Sequence, residues 1–413
     1  MNPAPAQDRP AGPPDVVIDD SALDAVEYVR RIGREHLRPL GLEADLLNRP
    51  IPADHPFYYD IARSGFMVGG LLGGGDEADA DRPRLTGPAV RAVLVAEEGA
   101  YWDRGAAVSL PGPGLGGTAL RRMGTREQRE TFEAPFHQRL RPAWASMSMT
   151  EPSAGSDVAR IRTRAVRHDD GSWVLNGEKM FAANGGRADW VIVWATVDPE
   201  LGRRGHRAFL IDQVTPGFEV LRLEDKVGVR AYESASFRLT DCHLEAERLV
   251  GGESYYEGSR GFGGAMSTFN ATRPIIAVNA VGIARHAHDI AARFVRDDYP
   301  AHGHRRRRAL EALVEIRRGI DIGREMCLTA AAMLDAGLPN VREASMAKLY
   351  APPVAQAAVQ RAAELLGEAG VLRDHVIEKL ARDCKMHDIG EGTQQIQRRI
   401  VSRLLIGDLT PAQ

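Results

Sequence analysis

The stretch Ala145-Ser146-Met147-Ser148-Met149-Thr150-Glu151-Pro152-Ser153-Ala154-Gly155-Ser156-Asp157 stands where the chain changes character. Upstream, apolar residues recur at helical spacing. Downstream, short β-type runs follow one another. Within the stretch, hydroxyls and glycine-permitted backbone N–H groups crowd into one tight loop, which suits a phosphate or a flat polar ring. The same residues also suit a tight β-turn that binds nothing. A second loop, Asn176-Gly177-Glu178-Lys179-Met180-Phe181-Ala182-Ala183-Asn184-Gly185-Gly186, carries an aromatic near its middle and turn residues at both ends, and the same two readings stay open.

Upstream, the signal from Ser21 to about Arg141 is helical. Ser21 is the expected N-cap, with Leu23, Val26, Val29 and Ile32 following at helix spacing. Tyr58–Phe66 and Ala89–Ala100 read the same way, and Thr118 is expected to open a further helix after the glycine-rich turn Gly112–Gly117. Gly69–Gly75 lacks the flanking strand and helix of a dinucleotide loop and reads as a plain loop. Met1–Asp15 is Pro/Ala-rich without a targeting pattern, a disordered lead-in.

Downstream, Trp173–Leu175, Trp190–Trp194, Ala208–Ile211, Phe218–Val220 and Ala235–Leu239 are β-type runs bounded by turn residues. They predict a small all-β domain, a barrel or a sandwich. From about Gly261 the pattern is helical again. Ile275–Val295, Ala309–Leu334, Arg342–Leu366 and the run after Thr393 are long and amphipathic, as in a bundle. The cationic cluster His304–Arg308 is a solvated face or an anion contact. The expected fold class is α+β: a lead-in over 1–20, a helical domain over 21–142, a middle β domain over 143–252 and a helical bundle over 253–413.

At 413 residues, 44% hydrophobic and 26% charged, the chain exceeds one simple core. Its net charge of −3 gives no pull toward nucleic acid or anionic lipid, and no apolar run is long enough to span a bilayer. Cys242, Cys327 and Cys384 are spaced for neither a metal site nor a disulfide framework, so no metal is expected and a cytoplasmic location is the simplest home.

Near the C-terminus, Asp388-Ile389-Gly390-Glu391-Gly392-Thr393-Gln394-Gln395-Ile396-Gln397-Arg398 sets one carboxylate between two glycines. Glu391 therefore belongs to a turn, and Thr393 can cap the helix carrying Ile396, Ile400, Leu404 and Leu405. A carboxylate held there in apolar surroundings is a candidate general base. A solvated surface glutamate is the bland alternative.

Taken together, these motifs resemble the acyl-CoA dehydrogenase family. The Thr-Glu-Pro-x-Ala-Gly-Ser-Asp motif is complete at Thr150–Asp157, and Asn-Gly-x-Lys-x-(aromatic)-x-x-Asn-Gly is met at Asn176–Gly185. A Thr-Arg-Pro helix start stands at Thr272-Arg273-Pro274. Arg382-Asp383-Cys384-Lys385 and Glu391–Arg398 supply the family's ending. The resemblance runs from about residue 20 to 407. It implies an N-terminal helical domain, a middle β-barrel and a C-terminal four-helix bundle, with FAD held between the last two. It also implies a homotetramer, a dimer of dimers, in which a neighbouring subunit completes the FAD site.

The implied reaction is α,β-dehydrogenation of an acyl thioester, acyl-CoA or acyl-carrier-protein, with an electron-transfer flavoprotein or similar acceptor. Glu391 takes the α-proton and the flavin N5 takes the β-hydride. Some relatives carry the base near Thr272 instead, but Phe269–Arg273 holds no acid. The resemblance places Met147, Met149, Thr150, Phe181 and Ala183 by the flavin ring and Ser156 at the pyrophosphate and substrate. Thr393 and Gln395 go to phosphate or ribose, and Asn270, Arg273, Gly390 and Gly392 to the substrate. Arg296, Tyr299, Gly367 and Gly370 would serve a neighbour's FAD.

Departures from the pattern are Phe181 for Trp, Ala183 for Thr, Gly390 for Tyr, Glu364 and Glu368 in the adenosine loop, and Pro300 after Tyr299. They suggest a branched, cyclic or otherwise specialised acyl group. Ala183 lacks a hydroxyl to bond the flavin, which favours an oxygen-using oxidase or N-hydroxylating monooxygenase of the same fold. Retention of Glu391 speaks against the monooxygenase. A catalytically silent flavin- or acyl-binding protein is the reading from another class, and the intact motifs speak against it.

Overall fold

The computed structural model describes residues 14–66, 85–257 and 261–406. The loop expected at Gly69–Gly75 and most of the expected lead-in lie outside the described residues. Among the described residues six α-helices precede the sheet: α1 (Asp20–Ile32), α2 (Arg38–Leu47), α3 (Pro56–Ser64), α4 (Pro88–Ser109), α5 (Gly114–Met123) and α6 (Arg126–His137).

Asp19, not Ser21, caps α1. One carboxylate oxygen accepts the Ala22 N–H at 2.9 Å, and the other accepts those of Leu85 and Thr86 at 2.8 and 2.9 Å. A carboxylate can serve all three donors at once where a hydroxyl's two lone pairs cannot, and these bonds, that from Thr86 foremost, hold its pKa at about 2. Ser21 instead accepts Arg91 Nη1 at 2.9 Å. Thr118 does not open α5 either. It lies inside the helix, and its hydroxyl bonds back to the Gly114 carbonyl at 3.3 Å.

Among the described residues the sheet has seven strands: β1 (Ala145–Ser148), β2 (Arg164–Arg167), β3 (Trp173–Ala183), β4 (Trp190–Thr196), β5 (His206–Asp212), β6 (Phe218–Leu223) and β7 (Ser234–Leu244). Their order is β1-β4-β2-β3-β7-β6, with β5 also on β4. Every residue of β4 is buried, which explains its uninterrupted apolar run. The short strand β1 pairs with it in parallel at the end of the strand order, so the motif loop after β1 starts beside this buried strand.

Helices α7 (Gly252–Tyr256), α8 (Gly261–Asp298), α9 (His304–Asp335), α10 (Val341–Leu366), α11 (Ile377–Cys384) and α12 (Gln394–Ile406) complete the chain. α8 packs on α4, α9 and α10. α4 joins the two main cores: Val90 and Val93 lie in the bundle core, Ala106 and Leu110 in the core shared with the sheet. It is also tied to the bundle by polar groups. Asp335 of α9 accepts the Ala89 and Val90 N–H groups at 2.8 and 3.0 Å, capping α4 from another element. Glu97 and Glu98 of α4 receive Arg285 of α8 at 2.7 and 2.8 Å.

Two expectations about the C-terminal helices are corrected. Thr272-Arg273-Pro274 is not a helix start, because α8 runs through it from Gly261. Proline there cannot donate to the Asn270 carbonyl, and the Asn340 side chain occupies that carbonyl at 3.3 Å instead. In α12 the buried residues include Gln394, Gln397 and Val401, while Leu404 and Leu405 are exposed. No described helix is long and apolar enough to cross a membrane, and no described cluster of His, Cys, Asp or Glu could hold a metal ion.

Candidate active site

Glu391 sits in the turn before α12 with left-handed backbone, φ 56°, and Gly392 follows at φ 99°. A Cβ on Gly392 would come within 2.6 Å of Gln397 Nε2. That amide bonds the carbonyls of Glu391 and Gly392 at 3.3 and 3.2 Å, so the buried glutamine of α12 clasps the turn. Gln394 Nε2 donates to the Lys348 carbonyl at 3.0 Å and fastens the same helix to α10. These bonds are why α12 buries glutamines rather than leucines.

The Glu391 carboxylate accepts Thr272 Oγ1 at 2.6 Å from the middle of α8. Three cations act on it: Lys348 of α10, Arg273 of α8 and Arg104 of α4. Lys348 Nζ lies 2.5 Å from the His387 carbonyl and 3.4 Å from that of Gly392. Arg273 Nη1 donates to Asn270 Oδ1 at 2.7 Å, while its buried Nε has no partner. Burial pushes the Glu391 pKa above the ordinary carboxylate range. Thr272 and then Lys348, Arg273 and Arg104 pull it back only in part. Burial likewise brings Lys348 down to about 8. The arrangement is a carboxylate with raised proton affinity, held by one hydroxyl and able to accept a proton.

The structure thus gathers Glu391, Gly390, Gly392, Asn270 and Arg273. Thr272, Lys348, Arg104 and Gln397 join them without having been assigned a role from the sequence. Lys348 did leave a signal, as the one lysine on the buried Ala344-Ala347-Ala351 face of α10. At Gly390 a Cβ would stand 3.1 Å from Met386 Sδ.

The two motifs form a second group. Glu151 of the first accepts the Arg162 and Thr163 N–H groups at 2.6 and 2.9 Å, the Thr163 hydroxyl at 2.6 Å and Lys179 Nζ at 2.7 Å. Lys179 belongs to the second motif, which the structure builds as strand β3 up to Ala183 rather than as the expected loop, and also reaches the Met149 carbonyl at 3.2 Å. Burial alone would raise the Glu151 pKa, but Lys179 and Thr163 outweigh it and hold the carboxyl below its ordinary range. The pair pins the first motif loop to β3, and Ser146 Oγ donates to the Ala183 carbonyl at 2.8 Å.

Met147 and Met149 are buried, Thr150 and Ala183 half-buried, and Ser156 exposed. Phe181 takes φ 60° and leaves its ring 59% exposed, and the buried Ser148 hydroxyl has no partner. An outward aromatic on strained backbone in one motif and an orphaned hydroxyl in the other fit a planar, polar-edged group such as a flavin. Thr393 caps α12 through the Ile396 N–H at 3.4 Å, and Gln395 is exposed.

A third group lies at the far end of α8. Arg296 is 23 residues beyond Arg273, about 35 Å along a helix. In the single chain Arg296 pairs with Asp297 at 2.7 Å. The Tyr299 hydroxyl donates to the Leu365 carbonyl at 2.9 Å, next to Gly367 (φ 59°) and Gly370. A Cβ on Gly370 would lie 2.7 Å from the Ala363 carbonyl oxygen. These residues cannot serve the same chain's Glu391.

Comparison with known proteins agrees with this geometry. The family description "Acyl-CoA dehydrogenase, middle domain" matches residues 146–242, and "Acyl-CoA dehydrogenase, C-terminal domain" matches residues 259–406. Probable acyl-CoA dehydrogenase FadE25 of Mycobacterium tuberculosis is 34% identical over 275 residues, 64% of this chain and 67% of the relative. Probable acyl-CoA dehydrogenase YngJ of Bacillus subtilis is 33% identical over 298 residues, 71% and 76% of the two chains. The structure of butyryl-CoA dehydrogenase from Megasphaera elsdenii superposes with a TM-score of 0.85 at 27% identity, covering 95% of this chain and all of the other.

Proposed function

Because the chain belongs to the acyl-CoA dehydrogenase family of enzymes, we propose that it dehydrogenates an acyl thioester between the α and β carbons with Glu391 as the base. The observation that carries this reading is the Glu391 carboxylate, pinned by Thr272 at 2.6 Å and raised in proton affinity by burial.

The α-proton of a thioester is too weakly acidic to leave unaided, and a desolvated carboxylate at a fixed position takes it more readily than one in water. Thr272 and the clasp of Gln397 fix the carboxylate's direction. Bound FAD supplies the acceptor for the hydride from the β-carbon. Met147, Met149, Thr150, Phe181 and Ala183 would border its ring, and Ser156, Thr393 and Gln395 its polar tail. Arg296, Tyr299, Gly367 and Gly370 would meet the FAD of a neighbouring subunit, since they lie too far from their own chain's base. Three domains over 21–142, 143–252 and 253–413 fit the order of elements. The substrate in this reading is a branched, cyclic or otherwise specialised acyl group on coenzyme A or a carrier protein, and an electron-transfer flavoprotein is the acceptor.

The test is anaerobic mixing of the yellow protein with a panel of acyl thioesters while the visible flavin band is followed. One thioester should bleach it, and Glu391→Gln should slow bleaching by about 10²–10⁴-fold. Equal bleaching in the Gln variant would remove Glu391 from the mechanism. Ala183 offers the flavin no hydroxyl, which favours a second reading, an oxygen-using enzyme of the same fold. Reoxidation of the reduced protein by air within its turnover time, without another acceptor, would establish that variant.

A further inference from the structure

The arginines of the sheet-forming segment divide into two groups. Arg167, Arg187, Arg222, Arg230, Arg238 and Arg248 each face a carboxylate, at 2.8–3.4 Å. Among the described residues no carboxylate pairs with Arg160, Arg162, Arg164 or Arg204, although Asp157, Asp198 and Glu200 are their neighbours in sequence. All four are exposed.

This second group lies in one corner. Burial alternates from Ile161 to Val166, so Arg162, Arg164 and the exposed Val166 share the outward side of an extended run, about 13 Å from first to last. Glu151 accepts the Arg162 N–H at 2.6 Å, which fastens the run to the motif loop ending at Ser156 and Asp157. Arg164 lies opposite Thr196 on β4, and Thr196 lies opposite His206 on β5. The turn Pro199–Gly205, which carries Arg204, leads into β5 and is closed by the Val197 N–H on the Gly205 carbonyl at 2.9 Å. Arg207 ties this turn down, donating to the Arg204 and His206 carbonyls at 3.1 and 2.9 Å with its guanidinium 4.6 Å from the Tyr256 ring centre. The short turn Val158–Arg160 packs on Pro199–Gly205, and so does α8. The corner thus adjoins both the motif loop and the helix that carries Thr272.

Four exposed guanidinium groups without counter-ions attract an anionic partner. Their spread decides which kind. Coenzyme A carries its phosphates on a single nucleotide, which calls for donors that converge on one place. Here the charges run along an outward strand and across to a neighbouring turn, beside Val166, itself 44% exposed. Arginines around an apolar contact on an open face have the composition of a protein interface. Each guanidinium fork also pairs with a carboxylate by two parallel bonds.

We propose that this corner docks an acidic acyl-carrier protein, so that the acyl group arrives on a protein-bound phosphopantetheine rather than on coenzyme A. This rests on the dehydrogenase reading above.

The test presents one acyl group to the FAD-loaded protein in three ways: on an acidic acyl-carrier protein, on coenzyme A and on pantetheine alone. The group chosen is the one whose pantetheine thioester bleaches the flavin fastest. The second-order rate of anaerobic bleaching is measured for wild type and for the double variant Arg162→Glu, Arg164→Glu. Wild type should favour the carrier protein over coenzyme A by about tenfold to a hundredfold, and high salt should remove most of that advantage. The double variant should lose the same advantage through a higher half-saturating concentration, with the limiting rate and the pantetheine thioester unchanged. Coenzyme A used as well as the carrier protein, or a carrier preference untouched by salt or by the double variant, overturns the inference while dehydrogenation stands. Equal losses for coenzyme A and the carrier protein in the double variant also overturn it, by making the corner a nucleotide-phosphate site. No bleaching by any thioester overturns both readings. If the double variant fails to fold, the wild-type ratio and its salt dependence still decide.

Discussion

Glu391 ionises against its surroundings, and that sets how its site responds to pH. The base works only when deprotonated, so the bleaching rate should climb with pH through a pKa above the ordinary carboxylate value. Thr272 donates to the charged form, and Lys348 attracts it. Thr272→Val and Lys348→Met should each move this limb to higher pH, by about one unit for the lost hydrogen bond, and Thr272→Ser should restore it. A pH–rate series on the variants checks both, and an unmoved limb would show that the hydroxyl does not bear on the base. Folding has the opposite sign. A carboxyl whose folded pKa exceeds its unfolded one contributes stability at low pH that fades as pH climbs from the unfolded value through the folded one. Near neutrality, Glu391→Gln should therefore melt above wild type while losing turnover.

At the level of elements, polar side chains from one element finish the ends and turns of another. Asp335 of α9 caps α4, and Asp335→Ala should cost about 1–2 kcal/mol, read as a lower denaturant midpoint. Glu151 and Lys179 pin the first motif loop to β3, and Lys179→Met should cost about 3–5 kcal/mol by leaving a buried carboxylate alone. Retained flavin and an unchanged midpoint in that variant would show that the pair does not hold the loop. The legibility of the sequence follows from the same facts. Long amphipathic helices and apolar strands such as β4 declared themselves by periodicity. The strands β1, Ala-Ser-Met-Ser, and β2, Arg-Ala-Val-Arg, carry little β-type signal and exist because β3 and β4 offer them edges. Asp19 outcompeted Ser21 as a cap through donors 66 and 67 residues away, beyond any local pattern. Glu391 and its turn were readable from the flanking glycines. Lys348, Arg104 and Gln397 reach the base only through tertiary packing, and the mid-helix place of Thr272 depends on Asn340 occupying the carbonyl that Pro274 leaves free.

For the whole molecule, the proposed reading assigns Arg296, about 35 Å along α8 from Arg273, to the flavin of a second chain. A tetramer is expected in solution by light scattering. The exposed Leu404 and Leu405 of α12 offer apolar area for such contacts. Leu405→Glu should lower the mass and weaken flavin retention together if the neighbour completes the cofactor site. Loss of assembly with full flavin retention would separate the two. The turn before α12 bears on the same scale in another way. A non-glycine residue in left-handed backbone costs about 1 kcal/mol, so the chain would be sturdier with glycine at position 391. Laboratory selection for heat tolerance alone should thus favour Glu391→Gly, a variant that survives the heat step and fails every assay for turnover. Hardening this enzyme by evolution requires activity to be scored in the same round.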